Sequence, residues 1–270
     1  MIAPTSGYAL RRGSQVFESI AEWRERRAND VRHGVTLGFV PTMGALHDGH
    51  LSLVERSRAE NDRTLVSVFV NPTQFDDPAD FDAYPRVAQR DLDLLEAAGV
   101  DFVLLPRAGE MYADAFRYRV TETELSTILE GAHRPGHFAG MLTVVLKLLN
   151  IAAAERAYFG EKDWQQLSLV RGMADAFFLP TAIVPCPTVR ESSGLALSSR
   201  NARLSAADRE RAATLHRVLT TAATSDEAIG QLADAGFAID YVDDYDGRRL
   251  AAVRLHGVRL IDNVPVPGAP

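Results

Sequence analysis

The sequence has a single cysteine, Cys186, among its 270 residues, so no disulfide can form within the chain. It also lacks a long hydrophobic run: the longest apolar stretch, residues 141–154, is interrupted by Thr143, Lys147 and Asn150 and is too short to span a bilayer. The first residues contain no apolar segment typical of a secretory signal. These absences predict a protein of a reducing compartment, and we expect it in the cytoplasm.

Positive charge is also scarce, because 29 Lys and Arg face 36 Asp and Glu, which gives a formal net charge of -7. This balance disfavours a nucleic-acid surface but not ATP, which needs only a few local cations. Apolar residues make up 46% of the chain, enough for a sizeable core. We therefore expect small-molecule ligands, with no nucleic-acid and no membrane partner.

Apolar runs alternate with helical patterns along the first two thirds of the chain, which predicts an α/β fold with a mostly parallel sheet. After about Val189 the pattern changes to that of a small α+β domain, so we divide the chain into residues 1–188 and 189–270. The predicted strands are 35–40, 64–70, 101–105, 117–121, 156–159, 181–184, 238–243 and 258–261. The predicted helices are 15–29 (with Ser14 as a possible cap), one starting near Gly49, and 87–98, 139–153, 163–177, 206–223 and 227–235.

Residues 41–50, PTMGALHDGH, connect the strand 35–40 to the helix that starts near Gly49. A strand, a glycine-containing turn and a helix form the arrangement that seats anions on helix N-terminal amides. His47 and His50 lie in this turn, where imidazoles can donate to phosphate oxygens and stabilise charge on leaving pyrophosphate. The alternatives are two surface histidines, or a metal pair without an obvious third ligand. We interpret the segment as a nucleoside triphosphate site.

Uncharged amides follow the strand 64–70, in the segment NPTQF. Ligands of open parallel sheets bind beyond the carboxyl ends of the strands, and Asn71 and Gln74 offer donors and acceptors there for a hydroxy-acid. A turn capped by Asn-Pro is the alternative.

A charged segment, GEKDWQQ, follows the strand 156–159. Lys162 can reach a phosphate, Asp163 can cap the helix or hold a ribose hydroxyl, and Gln166 can face the same cleft. The alternative is an N-capped helix whose charges are solvated.

Two further polar loops complete the set. Residues 197–201, LSSRN, offer hydroxyls and a guanidinium that can clamp phosphates in a mobile lid, or merely form a polar hinge. Residues 130–138, EGAHRPGHF, read as an ordered loop near the site, in which we interpret His133 and His137 as structural.

Together, in this order and spacing, these five segments resemble the pantoate–β-alanine ligase family closely over residues 35–204 and weakly beyond. The resemblance implies a Rossmann-like nucleotidyltransferase domain, a C-terminal domain acting as a lid, and a homodimer. It also implies two half-reactions with ATP and Mg²⁺. The pantoate carboxylate attacks the α-phosphate of ATP to give pantoyl adenylate and pyrophosphate, and the β-alanine amine then displaces AMP to give pantothenate.

The resemblance also implies site residues. It makes His50, His47, Lys162 and Arg200 catalytic, and Gln74, Gln166 and Asn71 the pantoate site, with Gln74 also near β-alanine. The implied ATP contacts are Met43, Gly44, Ala45, Leu46, His47, Asp48, Gly49, His50, Gly160, Glu161, Lys162, Asp163, Val189, Leu197, Ser198, Ser199 and Arg200.

This chain departs from the family pattern at Thr73, where methionine is common, and at Ala113, where proline often stands. Its acidic cluster after Tyr-Pro-Arg is reduced to Asp91, so we expect Mg²⁺ to arrive on ATP and assign no metal ligand in the protein.

Three rival functions share parts of these patterns. Another HxGH nucleotidyltransferase would not need Asn71, Gln74 and Gln166, which favour a small hydroxy-acid. An aminoacyl-tRNA synthetase would need a basic RNA-binding region. A nucleotide-binding protein on the same fold would bind ATP without releasing pyrophosphate.

Overall fold

Six parallel strands form the central sheet of this computed structural model, which describes residues 13–76, 78–84 and 88–266. Strands β1–β6 are Gln15–Phe17, Leu37–Thr42, Arg63–Val68, Phe102–Leu104, Arg156–Gly160 and Ala182–Cys186. Their order is β1-β4-β3-β2-β5-β6. The chain thus runs outward from β2 in both directions, and the crevice at such a reversal is where open α/β sheets bind ligands.

Helices cover both faces of this sheet. Helices α1–α11 are Ile20–Arg32, Asp48–Glu60, Pro78–Ala83, Ala88–Ala97, Ala108–Met111, Glu130–His133, His137–Ala152, Trp164–Ala176, Ala206–Ala212, Thr214–Thr221 and Ser225–Asp234. Alternate residues of β2 point to opposite faces of the sheet. Leu37 and Phe39 pack in the core with α1, α7 and α8. Val40 packs on the other face, in the core with α2 and α4. Helix α7 is apolar almost all round because it is buried between α1 and α8. Among the described residues, no helix is long and apolar enough to cross a membrane.

A three-stranded antiparallel sheet forms the small C-terminal domain, with its own core against α10 and α11. Its strands are β7 (Ala238–Tyr245), β8 (Arg248–Leu255) and β9 (Val258–Pro265). Two-residue loops with positive φ at both positions connect them, at Asp246-Gly247 and His256-Gly257. This is the geometry of tight hairpin turns that match the twist of the strands.

Strand β9 holds the C-terminal domain against the end of β5. The amide Nδ2 of the buried Asn263 donates to the carbonyls of Glu161 and Lys162, at 2.9 Å each. The guanidinium of Arg248, which also donates to Asn263, lies 4.4 Å from the ring centre of Trp164. Because Lys162 is a predicted site residue, the small domain helps to position the cleft.

The α/β class, the parallel sheet and the small C-terminal domain are confirmed. The first helix, however, was predicted to start at residue 15, and it starts at Ile20. Residues 15–17 instead form the edge strand β1, parallel to β4, and α1 is capped by Ser19, whose hydroxyl accepts from the amide of Glu22. Ser14 is not a cap, since its hydroxyl donates to the carbonyl of Val100. The three-residue strand is too short for a periodic signal.

Two other element predictions were wrong, and strand β8 was missed. Residues 117–121 form no strand within the described chain, and the amide of Val120 donates to the hydroxyl of Thr143 instead. The single helix predicted over 206–223 is two helices, α9 and α10, which meet at Ala213. Strand β8 was not predicted at all, because its interior carries Arg249, which is fully buried and paired with Asp244. The first residues, where no secretory signal is expected, and the last four residues of the predicted C-terminal domain lie outside the described residues, as 1–12 and 267–270.

Candidate active site

The turn after β2 is held in place by a buried carboxylate. Asp91 of α4 accepts from the amides of Ala45 and Leu46, at 2.8 Å each, and is 2% exposed. Gly44 has φ of +79°, and an added Cβ there would lie 2.8 Å from the Asp91 carboxylate. The turn therefore needs glycine, and the two amides bind a side chain of the protein. Both carboxylate oxygens of Asp91 accept hydrogen bonds from these backbone amides. The described residues contain no cluster of three or more potential metal ligands.

His47 caps helix α2 and His50 lies in its first turn, and their tilted rings have centroids 4.1 Å apart. His47 is the N-cap residue, and its Nδ1 accepts from the amide of Gly49 at 3.1 Å. Because an amide can only donate, neutral His47 must carry its proton on Nε2. An added Cβ at Gly49 would lie 2.8 Å from the His47 ring, which explains why glycine separates the histidines.

Both histidines are held neutral. Burial, the neighbouring His47 and the charge of Lys162 lower the pKa of His50 to about 3. Burial and Lys162 likewise lower the pKa of His47. Nδ1 of His50 is buried and has no hydrogen-bond partner among the described residues. At neutral pH the pair can therefore donate hydrogen bonds to phosphate oxygens, while Lys162 supplies positive charge.

Asn71 and Gln74 bracket a short 3-10 turn, Pro72–Gln74, beyond the end of β3. Asn71 is 1% exposed, and its Oδ1 accepts from Thr73 and, at 2.6 Å, from the hydroxyl of Tyr112. Its Nδ2 donates to Oε1 of Gln74 at 2.9 Å. Both residues line the cleft, but the polar side-chain atoms of Asn71 are engaged by Thr73, Tyr112 and Gln74.

The segment after β5 enters the cleft from the opposite side. Lys162 is mostly buried, and its Nζ lies 3.9 Å from Oδ1 of Asp163. Asp163 occupies the N-cap position of α8 but makes no capping hydrogen bond with its side chain, so the capping alternative is not realised. Gln166 lies in the first turn of α8 and lines the same cleft.

The loop 197–201 closes the cleft beside a hairpin of residues 190–196. The amide of Leu197 donates to the carbonyl of Val189 at 3.0 Å, so these two residues are held side by side. The hydroxyl of Ser198 accepts from the amide of Arg200 and starts a 3-10 turn, Ser199–Arg203. This turn places Arg200 among the residues that line the cleft.

One pocket thus brings together most of the predicted site residues. The predicted residues that line it are His47, His50, Lys162, Arg200, Asn71, Gln74, Gln166, Met43, Gly49, Gly160, Asp163, Val189, Leu197, Ser198 and Ser199. The remaining predicted ATP contacts, Gly44, Ala45, Leu46, Asp48 and Glu161, belong to the same turns but do not line it.

An adjoining pocket extends from Gln74 and Lys162 to the C-terminal sheet, and sequence reasoning did not assign it. It is lined by Glu130, Arg134, His137, Trp164, Tyr241 and Arg259, among others. Nη2 of Arg259 and Nε1 of Trp164 are buried without partners among the described residues. The sequence signals for these residues were the segment 130–138 and, for Trp164, the segment GEKDWQQ, whereas Tyr241 and Arg259 come from strands of the second sheet and had none.

Comparison with known proteins agrees with this geometry. The family model described as pantoate-beta-alanine ligase matches residues 15–265. The chain belongs to this family. It is 49% identical over 256 residues to the pantothenate synthetase of Bdellovibrio bacteriovorus, covering 94% of this chain and 100% of the relative. It is 47% identical to that of Legionella pneumophila strain Lens, over 92% of this chain and 98% of the relative.

A solved structure has the same fold. The crystal structure of the pantoate-beta-alanine ligase of Francisella tularensis, complexed with "Beta-gamma ATP and Beta-alanine", superposes with a TM-score of 0.89 at 40% identity. The match covers 95% of this chain and 99% of that one. The family resemblance and the Rossmann-like nucleotidyltransferase fold inferred from the sequence are therefore confirmed.

Proposed function

We propose that the protein condenses (R)-pantoate with β-alanine at the expense of ATP, through a pantoyl adenylate, releasing pyrophosphate and AMP. The observation that carries this proposal is the convergence of two kinds of groups on one cleft. Gln74 and Gln166 face it with uncharged amides, and His47, His50, Lys162 and Arg200 surround the adjoining space. Family membership supports the same reaction.

In the first half-reaction the pantoate carboxylate attacks the α-phosphorus of ATP. A bond forms between them as the bond to pyrophosphate breaks. Both reactants are anions, so the site must offset their repulsion and align them. Lys162 and Arg200 provide cationic side chains, and neutral His47 and His50 provide N–H donors for the departing pyrophosphate. Amides such as Gln74 hold pantoate without pairing with the attacking carboxylate as a cation would.

In the second half-reaction the β-alanine amine attacks the acyl carbon of the adenylate. The C–N bond forms as the bond to AMP breaks. Pantoyl adenylate is open to hydrolysis, so the enzyme must keep water out between the two steps. The C-terminal strand residues that line the adjoining pocket support a closing role for this domain, which we propose acts as a lid formed by residues 189–270.

We propose that Mg²⁺ accompanies ATP. Among the described residues that line the main pocket, Asp163 is the one carboxylate, and it lies beside Lys162. A single carboxylate fits a Mg²⁺ ion that is bound mainly by phosphate oxygens and water. When bound, the ion would neutralise phosphate charge, and Asp163 would be the carboxylate available near it in this pocket.

We also propose that the protein acts as a homodimer in the cytoplasm. Sedimentation of the purified protein would test the dimer, which should have twice the chain mass of 29.5 kDa.

The experiment that tests the reaction is pyrophosphate release from ATP and Mg²⁺, measured with pantoate and with or without β-alanine. We expect release that depends on pantoate, and sustained AMP and pantothenate formation only when β-alanine is added. ATP binding without pantoate-dependent release would contradict the proposal and favour a nucleotide-binding protein or another acceptor.

A further inference from the structure

The orientation of the Gln74 amide follows from its neighbours. The amide N–H of Thr73 donates to Asn71, so the accepting atom must be Oδ1, and the opposite atom of that side chain is Nδ2. Nδ2 contacts Gln74 at 2.9 Å and therefore meets its Oε1. Nε2 of Gln74 is left near Sδ of Met43, a weak acceptor. Gln74 thus presents N–H donors to the cleft, as an oxygen of a hydroxy-acid requires.

The main chain of Gln74 is held separately, by His137 at the start of α7. Nδ1 of His137 lies 2.7 Å from the carbonyl oxygen of Gln74. Because a carbonyl only accepts, Nδ1 carries the proton. Nε2 of the neutral ring is then an acceptor, and Nη1 of Arg134 donates to it at 3.2 Å. Burial, and next the charge of Arg134, lower the pKa of His137 to about 4, so this neutral form persists at neutral pH.

Arg134 is itself fixed from several directions. Its Nε donates to Asp76 at 2.8 Å, its Nη1 also donates to Glu130 at 3.1 Å, and its Nη2 lies 3.4 Å from the Gln74 carbonyl. The donor of His137 therefore has a fixed place and a fixed tautomer. The turn that it holds is only three residues long, so tilting the Gln74 peptide would move the side-chain amide as well.

We propose that His137, held by Arg134, is a positioning residue that sets the place of Gln74 and thereby the binding of pantoate. The inference rests on the proposed function, in which Gln74 binds pantoate. His137 reaches Gln74 through its carbonyl, behind the amide that faces the cleft. Displacing a positioned group by about 1 Å can cost roughly a hundredfold in rate.

The test compares three side chains at position 137. Asparagine can place an N–H near the position of Nδ1, glutamine places one near Nε2, and leucine places none. We expect His137→Asn to keep the pantoate KM within about threefold of wild type, and His137→Leu and His137→Gln to raise it about 10- to 100-fold. The KM for ATP should stay within about threefold in all of them, because the loss is local to Gln74.

His133→Leu is the matched control, since His133 is an exposed histidine on α6 that contacts Tyr241 and not Gln74. It should leave both KM values unchanged. Melting curves separate positioning from unfolding. If His137→Leu fails to fold, the pantoate KM values of His137→Asn and His137→Gln test the proposal, and equal values would contradict it.

A second variant tests the role of Arg134. Introduced alone, Arg134→Met should raise the pantoate KM. Introduced into His137→Asn it should raise the KM by a smaller factor, because no ring nitrogen remains there to accept from Arg134. Equal factors would refute action through His137.

Two other results would overturn the proposal: a wild-type pantoate KM in folded His137→Leu, or an equal rise in the KM for ATP. Failure of the proposed function would look different, because wild type itself would then release no pyrophosphate in response to pantoate.

Discussion

Arg259 on β9 donates from one nitrogen, Nη1, to both carboxylate oxygens of Glu130 on α6, at 2.6 and 2.8 Å. The side chains are 14% and 9% exposed. This ion pair joins the C-terminal sheet to the segment that contains Arg134 and His137. Arg259 also pairs with Asp240 at 2.7 Å, and Glu130 also pairs with Arg134 at 3.1 Å, so removing Glu130 or Arg259 disrupts a buried network of charges, which is costly.

The Glu130–Arg259 pair predicts a pH-dependent contribution to stability. Burial raises the pKa of Glu130, but the hydrogen bond and charge of Arg259, with the charge of Arg134, outweigh it and lower the pKa to about 2 from 4.5. The contribution should therefore be complete above pH 4.5 and be lost as the pH falls toward 2. We expect Glu130→Gln to lower the free energy of unfolding by about 3 kcal/mol at pH 7, and by less at pH 3.5. Urea unfolding of both proteins at the two pH values measures this, and a pH-independent difference would contradict it.

Most of the predicted site residues share one cleft, and this grouping could be predicted because the signals are local. Each motif directly follows a strand of the parallel sheet or opens a helix, so the chain order alone places Gln74, Lys162 and His50 at one edge. The tight turns at Asp246-Gly247 and His256-Gly257 could also have been predicted from their glycines. They would have indicated strand β8, which lies between them and was missed.

The sequence could not predict which polar side chains hydrogen-bond to which distant backbone groups. Asp91 was named only as the remainder of a reduced acidic cluster, and its carboxylate binds the amides of Ala45 and Leu46, which are distant in the chain. His137 was interpreted as structural, yet it contacts the carbonyl of Gln74, which is 63 residues away. Contact between Asn71 and pantoate stays a prediction. Such pairings depend on tertiary packing, for which one sequence carries no periodic signal.

Gly44 is predicted to be irreplaceable in the turn after β2. In Gly44→Ala the new Cβ would meet both the Asp91 carboxylate and, at 3.0 Å, Cγ1 of Val68, and φ is positive. Gly34→Ala is the matched control, because Gly34 also has positive φ but nothing lies within 4 Å of the added Cβ. We expect the control to lose about 1 kcal/mol in free energy of unfolding and keep its turnover, and Gly44→Ala to lose roughly 2–4 kcal/mol and most activity. Equal losses in the two variants would show that the turn tolerates a side chain.

Gly140 is predicted to control pantoate binding from inside α7. An added Cβ would lie 2.0 Å from the carbonyl oxygen of Thr73, so Gly140→Ala must displace the turn that carries Gln74. We expect a loss of about 1–3 kcal/mol in free energy of unfolding and a raised pantoate KM. Gly172→Ala on α8, where nothing lies within 4 Å, should stabilise the protein by about 0.5–1 kcal/mol without changing either KM. An unchanged pantoate KM in a folded Gly140→Ala would refute this link.

His50 and Lys162 are predicted to be needed for adenylation and not for folding. We expect His50→Ala and Lys162→Ala each to lower the rate of pantoate-dependent pyrophosphate release by about a hundredfold or more, because each removes a group aimed at developing phosphate charge. His33→Ala, at the exposed C-terminal end of α1, is the control and should keep full activity. Melting temperatures and ATP titrations of the variants check that the fold and the nucleotide site persist.

The pH dependence of the same reaction gives a separate prediction for His50. Since its pKa is about 3 in the folded protein, the ring stays neutral from pH 5 to 8, and its protonation should not shape kcat/KM in that range. A rise or fall of kcat/KM near pH 6.5 that disappears in His50→Gln would mean that the imidazole titrates normally. It would then act in the reaction as a cation or a general base, and the neutral donor role argued from its burial would be wrong.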